Sequence, residues 1–195
     1  MSILVLTSDT LIGTPATGNI EYSGQFYGTD SNASRAQIQR ITQGTAVAST
    51  SGTSIDFTGL PAWVKRITVM FSGVSLSATA HFLIQPGTGG TPTSTGYAST
   101  SFALATAGAP SISSTSGFIF YANGAAAVFS GNITISNITG NTWVASGVLA
   151  QTAGTAANIT GAGTVALGGV LNILRITTTS TDTFDAGSIN ILYEG

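Results

Sequence analysis

The sequence predicts an all-β protein: an antiparallel β-sandwich or jelly-roll-like domain that follows a short N-terminal arm. Short apolar runs rich in Val and Ile recur along the chain, as they do in strands that face a core. Glycine occurs 25 times in 195 residues and, together with Ser and Thr, separates these runs into turn-like breaks. No apolar pattern of helical period extends over any length. Many short strands between such turns are typical of sandwiches.

The clearest predicted strand ends at Phe71. Ile67, Val69 and Phe71 occupy alternate positions, and successive side chains of a strand point to opposite sides of a sheet. Pro61 has no amide donor and favours an extended residue before it, so it marks a corner ahead of this strand. Trp63 is expected to close one open end of the core.

The chain is divided into residues 1–44, an arm and hairpin for attachment and assembly, and residues 45–195, the sandwich domain. The apolar run at residues 3–6 is expected to add to a sheet edge, since a free terminus is otherwise poorly ordered. Residues 43–52, rich in Ser, Thr, Gly and Ala, are interpreted as the link between the two parts.

Within the arm, residues 20–27 predict a hairpin that turns at Ser23 and Gly24. Residues 35–41 fit a short helix capped by Ser34 and a strand equally well, and both alternatives stay open.

The main domain is predicted to alternate strands with long loops. Strands are expected at residues 78–84, 118–121, 171–178 and 188–193, with a hairpin over residues 128–148 that turns at Gly140. Residues 97–116 are interpreted as loop with a short strand near Phe102. The stretches rich in small residues at 86–96, 105–116 and 152–163 are predicted loops.

The low charge of the chain limits its partners. Charged residues make up 6% of the sequence, far below the roughly 25% of an average soluble protein. The polar surface must therefore come from Ser, Thr, Asn and Gln. Such a surface suits a chain covered by identical neighbours, which we favour, or a face that binds neutral polar ligands such as sugars.

Composition also argues against several function classes. The net charge is −2 and the five basic residues are scattered, whereas nucleic-acid binding needs clustered Lys and Arg. No apolar stretch approaches the ~20 residues of a spanning helix, so no membrane insertion is expected. Cysteine is absent, which removes disulfide and thiol chemistry.

No arrangement of residues predicts catalysis, a metal site or a cofactor. His81 is the single histidine and lacks the companions that a triad or a metal site requires, so we interpret it as a surface or interface residue. Asp182 and Asp185 are too close in sequence to face each other across a glycosidase cleft and too few for calcium. These residues and Asp30 are expected to form turns.

Aromatic residues are the remaining candidates for ligand binding. Trp63, Tyr97, Tyr121 and Trp143 could each stack on a sugar or pack in the core. Tyr97 follows the longest predicted loop and is the candidate ligand-binding residue.

Two blocks of sequence resemble known proteins. Residues 50–75 (TSGTSIDFTGLPAWVKRITVMFSGVS) and 174–194 (LRITTTSTDTFDAGSINILYE) resemble a module found in tailed-bacteriophage virion proteins, commonly in the C-terminal part of tail fibres. Residues 18–40 resemble the linking segment upstream of it. The middle of the chain, about 77–172, corresponds to the variable part of such modules.

This resemblance implies a virion protein made in the host cytoplasm, non-enzymatic and homotrimeric. Its arm would bind other virion proteins, and its loops would bind a host-surface glycan, as in a tail fibre or tip. Residues 1–44 stand where a tail fibre has a long anchoring region, so the alternative is a head decoration or cement protein that stabilises the capsid.

Overall fold

A computed structural model of the chain describes residues 17–22, 26–30, 32, 34–105, 108–122 and 124–195. Every regular element among these residues is a β-strand, and helices are absent from them. The all-β prediction is confirmed. The chain forms two compact units, Met1–Arg40 and Ile41–Gly195, called the first and second units below.

The described residues of the first unit form a three-stranded antiparallel sheet. Its strands are β1 (Ile20–Tyr22), β2 (Phe26–Thr29) and β3 (Arg35–Gln37), in the order β1-β2-β3. The pairing of β1 with β2 confirms the predicted hairpin, while its turn at Ser23 and Gly24 lies outside the described residues, as does the run at residues 3–6. β3 shows that the strand alternative is correct for the residues after Ser34.

Fourteen strands are formed by the residues of the second unit that the structure describes. They are β4 (Ile41–Gln43), β5 (Val47–Ala48), β6 (Ser54–Thr58), β7 (Arg66–Leu76), β8 (Phe82–Thr88), β9 (Thr91–Pro92), β10 (Ala98–Ala105), β11 (Ser111–Ser114), β12 (Phe118–Phe120), β13 (Val128–Thr139), β14 (Thr142–Ala153), β15 (Ala157–Ala166), β16 (Leu171–Thr178) and β17 (Phe184–Glu194). β4 pairs with β17, so residues 41–43 belong to this unit.

Two antiparallel sheets form a sandwich in the second unit. The nine-stranded sheet has the order β11-β10-β15-β14-β13-β7-β17-β4, with β5 also paired to β17. The five-stranded sheet has the order β12-β8-β16-β6, with β9 paired to β8. β13 and β14 form the predicted hairpin, and β16 coincides with the predicted strand at residues 171–178.

Aromatic rings from both sheets meet at Phe82. The Phe82 ring, from the five-stranded sheet, lies 5.3 Å from that of Phe71, 5.2 Å from that of Phe129 and 6.4 Å from that of Phe184. These three partners belong to the nine-stranded sheet. The apolar faces of the two sheets are thereby joined in one core.

The strand that follows the predicted corner, β7, buries the residues that its alternating pattern predicts. Ile67, Val69 and Phe71 are all buried in β7. At the corner before it, the Val64 N–H donates to the Pro61 carbonyl at 3.1 Å. Trp63 is half-buried and lies against the ring of Tyr193 at 5.7 Å.

The predicted link at residues 43–52 is wrong, because this stretch is fixed to β17. β5 pairs with β17, and Ser49 is fully buried. The Ser49 N–H donates to the Gly187 carbonyl and its hydroxyl to the Ala186 carbonyl, at 2.9 and 2.8 Å. Small residues here allow close packing and do not indicate a flexible connection.

The predicted loop at residues 86–96 is wrong in its first half. β8 begins four residues later than predicted and continues through Pro86 and Gly87. The register of β12 against β8 ends at Ile84, so Pro86 lies where its missing N–H interrupts no bond to β12. β9 then folds back on β8 across a turn at Gly89 and Gly90.

The predicted loops at residues 105–116 and 152–163 are also wrong in large part. Their residues contribute to β10, β11, β14 and β15, which form two long hairpins of the nine-stranded sheet. In β15, one small residue is explained by the close approach of β12. A Cβ atom on Gly161 would stand 2.8 Å from the Ile119 carbonyl oxygen, so only glycine fits there.

β12 is also held by two buried serines of β10. The Ser99 hydroxyl accepts a hydrogen bond from the Ile119 N–H, and the Ser101 hydroxyl accepts one from the Tyr121 N–H, both at 3.0 Å. Because an edge strand otherwise leaves backbone donors unpaired, these hydroxyls close one side of the sandwich. The segment after β12 is thereby placed at the end of β10.

Candidate functional site

A cleft opens at the end of the sandwich where β10 and β14 end and β13 and β15 begin. We call it the end cleft. Its cavity volume is about 400 Å³, within the roughly 300–1,000 Å³ of small-molecule sites. The wall consists of Ala, Gly and Pro residues together with three polar side chains, those of Tyr121, Gln151 and Thr155. Two of the three predicted binding loops, 105–116 and 152–163, supply lining residues.

Tyr121 supplies the aromatic surface of the end cleft. It follows β12 directly, and the hydrogen bond from its N–H to Ser101 fixes its backbone. Its half-buried ring stacks on the imidazole of His81 with centroids 4.9 Å apart and planes inclined by 28°. The ring therefore lines the cleft in an orientation that the fold sets in advance.

His81 supports Tyr121 from behind and is held neutral. Its Nδ1 accepts a hydrogen bond from the Ala122 N–H at 3.0 Å, which requires an Nδ1 without a proton. Burial lowers the pKa of His81 from its ordinary value of 6.5. The predicted surface or interface histidine is thus a half-buried residue that positions Tyr121 and Ala122.

We expect stability to depend on the protonation of His81. The unfolded chain takes up a proton at the ordinary pKa, while the folded chain resists it. The contribution of neutral His81 is therefore complete above about pH 6.5 and is lost as the pH falls through the lower, folded pKa. Urea unfolding at about pH 7.5 and about pH 5 should show a larger loss for the wild type than for His81→Asn, whose side-chain oxygen can accept the Ala122 bond without titrating.

Asp182, which is hydrogen-bonded to the residue before His81, does not affect the comparison of the wild type with His81→Asn. Asp182 accepts a hydrogen bond from the Ala80 N–H at 2.7 Å and is present in both proteins, so its contribution is common to both. An equal loss of stability in the wild type and in His81→Asn would contradict the role given to His81.

Gln151 is the buried polar group of the end cleft. Its side chain is on the inward side of β14, and the residue is 7% exposed. Within the described residues, the hydrogen bond that its amide makes is a long one, from Nε2 to the Ala153 carbonyl at 3.4 Å. Gln85 is equally buried, but its Nε2 donates to the Ser116 carbonyl at 2.7 Å. Gln151 therefore has hydrogen-bonding capacity that the described residues do not use.

Tyr97, the predicted ligand-binding residue, lies in the core. It is 3% exposed, its hydroxyl donates to the Thr93 carbonyl at 2.9 Å, and its ring meets that of Phe118 edge-on at 5.1 Å. Burial raises the pKa of Tyr97. The ring is closed to a sugar in this structure, and Tyr97 takes no part in the end cleft.

The remaining candidate residues, one tryptophan and three aspartates, are held by contacts within the fold. Trp143 is buried in the core. Asp182 is tied to the Ala80 N–H as described, and Asp185 accepts a short hydrogen bond from Ser75, so each acid anchors a different segment. Asp30 forms the predicted turn, since its Oδ1 accepts N–H groups two and four residues later, both at 2.9 Å.

The described part of the chain contains no group of three or more His, Cys, Asp or Glu residues that could hold a metal ion. No helix within it has the length and apolar character that crossing a membrane requires.

Sequence reasoning considered Tyr121 and preferred Tyr97, and it did not single out Gln151. One signal could have found the glutamine. Trp143, Ala145 and Leu149 are buried at alternate positions of β14, and the same period places Gln151 on the inward face. The predicted hairpin ended at residue 148, whereas the strand continues to Ala153, so the predicted strand stopped short of this position.

No protein-family model, curated protein or solved structure matches the chain. The residues of the end cleft and the sequence blocks described above are therefore the basis for a function.

Proposed function

We propose that this protein is a non-enzymatic surface protein of a bacteriophage virion, of the tail-fibre or tip type, which attaches the particle to its host by binding a cell-surface glycan. The observation that carries the glycan-binding part is the end cleft, where a preset aromatic ring and a buried amide with spare hydrogen-bonding capacity stand together. Aromatic rings with a few polar groups are typical of ligand sites.

The virion assignment is supported by the resemblance of residues 50–75 and 174–194 to the tail-fibre module. In the structure these blocks form β6, β7, β17 and most of β16, which run through both sheets. The small-residue strands between them build the end cleft. A constant framework that carries a variable binding end suits receptor recognition.

The proposed assembly is a homotrimer whose residues 1–44 bind other virion proteins. The low charge of the chain, 6% of residues, supports extensive contact with identical neighbours. The protein would be made in the host cytoplasm and end in the virion.

A head decoration protein is the second candidate, and the outer face of the nine-stranded sheet favours it. One row of residues in register across five strands consists of Phe102, Thr160, Val148, Asn132 and Met70. Phe102 and Val148 are 42% and 53% exposed. An uncharged, partly apolar row of this kind suits contact with a shell.

Localisation on the intact particle separates the two candidates. A labelled antibody against the protein, viewed by electron microscopy, is expected at the tail tip, and purified protein is expected to bind host cells. Label spread over the head, together with failure to bind cells, would contradict the attachment function and support the decoration protein.

A further inference from the structure

The polar groups of the end cleft, and its lack of charged side chains among the described lining residues, restrict the class of ligand that it can bind. We propose that the end cleft binds an uncharged saccharide unit, with Tyr121 as the stacking surface and Gln151 as the polar group that orients the sugar. This inference rests on the proposed attachment function and deepens it.

The first step concerns charge. None of the described residues that line the end cleft is Asp, Glu, Lys, Arg or His. His81, behind Tyr121, is held neutral by the bond from Ala122 and adds no charge at neutral pH. A carboxylate, phosphate or ammonium group entering the cleft would lose water without meeting an opposite charge, which is unfavourable. The cleft therefore selects against acidic and basic sugars.

The second step separates a sugar from a purely apolar ligand. Gln151 is 93% buried, as its exposed fraction of 7% shows, and within the described part of the chain its amide makes one long bond, to the Ala153 carbonyl. An apolar group filling the cleft would remove the remaining water from this amide and leave it unsatisfied. A sugar hydroxyl both donates and accepts, so it can satisfy the oxygen and the nitrogen of the amide.

The third step concerns the ring of Tyr121. The stack on His81, the bond from its own N–H to Ser101 and the bond from Ala122 to His81 hold the ring before any ligand arrives. The face of an aromatic ring is electron-rich, and the C–H groups on one side of a sugar ring are a weak electropositive match. A surface that is already ordered loses little freedom on binding.

The test uses the full chain and the surface polysaccharide of the host, separated by anion exchange into neutral and acidic fractions. We expect the wild type to bind the neutral fraction. Gln151→Met keeps the side-chain length and removes the amide, and should weaken binding about tenfold, the effect of one buried polar contact. Tyr121→Leu should weaken it by at least as much.

Gln85→Met is the matched control. It removes an amide of the same burial, but one whose hydrogen bond is made to Ser116. We expect this variant to bind the neutral fraction like the wild type while unfolding at a lower urea concentration. Gln151→Met should unfold close to the wild-type midpoint, because its amide contributes little to the fold.

Binding of each protein to whole host cells separates the possible failures. Full binding of the neutral fraction by both Gln151→Met and Tyr121→Leu would overturn the site. Wild-type binding to the acidic fraction alone would overturn the uncharged class. Wild-type binding to cells but to neither fraction would point to a protein receptor and overturn the saccharide. In these three outcomes, cell binding by the wild type leaves the attachment function standing. Loss of cell binding by the wild type itself would remove the attachment function and this inference together.

Discussion

Replacing Phe82 by Ala is expected to lower the free energy of unfolding by roughly 3–5 kcal/mol, the usual loss for a buried phenylalanine. Phe82 has no exposed surface, and the rings of Phe71, Phe129 and Phe184 reach it from the opposite sheet. Its removal leaves a cavity between two sheets. Strands of a sheet cannot close such a cavity independently, since each is hydrogen-bonded to its neighbours.

Urea unfolding of the second unit within the full chain measures this loss, and Phe102→Ala is its matched control. Phe102 is 42% exposed on the outer face of the nine-stranded sheet. Its truncation should cost about 1 kcal/mol or less. Similar losses for the two variants would show that the meeting of the sheets at Phe82 is not the main core contact.

Replacing Gly187 by Ala is expected to cost roughly 2–5 kcal/mol, because two separate penalties add. Gly187 has φ +88°, a left-handed conformation that costs a side-chain-bearing residue about 1–2 kcal/mol. A Cβ at this position would stand 2.4 Å from the carbonyl carbon and oxygen of Gly73 in β7. Relieving such a contact with backbone costs about 1–3 kcal/mol more.

Gly140→Ala isolates the first of these penalties. Gly140 also has positive φ, +52°, but a Cβ there would meet no atom within 4 Å. Its substitution should therefore cost about 1–2 kcal/mol. If the two alanine variants unfold at the same urea concentration, the close approach of Gly187 to the backbone of β7 contributes nothing and the second penalty is wrong.

Close approach of backbones also explains how the end cleft is built. Gly161 admits the backbone of β12, and Ser99 and Ser101 bind its amides. This contact places Tyr121, just after β12, beside His81 at the end cleft. The position of Tyr121 thus comes from strand packing and not from the loops that the sequence suggested.

The sequence by itself determined the class of the fold and the strands with strong alternation. β7, β16 and the β13–β14 hairpin were predicted because successive side chains of a strand point to opposite faces. A strand with one buried face therefore shows apolar residues at alternate positions of the sequence. The turn at Gly140 and the burial of Ile67, Val69 and Phe71 follow from the same local rule. These features depend on residues close together in the chain.

Tertiary structure decided the rest. The sequence could not show whether runs of Gly, Ala, Ser and Thr were loops or strands, because small residues occur in both. The difference depends on which segment packs against them. At Gly161 that segment is β12, whose backbone leaves no room for a Cβ. The sequence also could not show which of Tyr97 and Tyr121 is accessible to a ligand, because both are aromatic residues beside a short strand or loop. Only the packing of the two sheets buries one ring and leaves the other at a cleft beside Gln151, since burial is set by contacts between residues far apart in sequence.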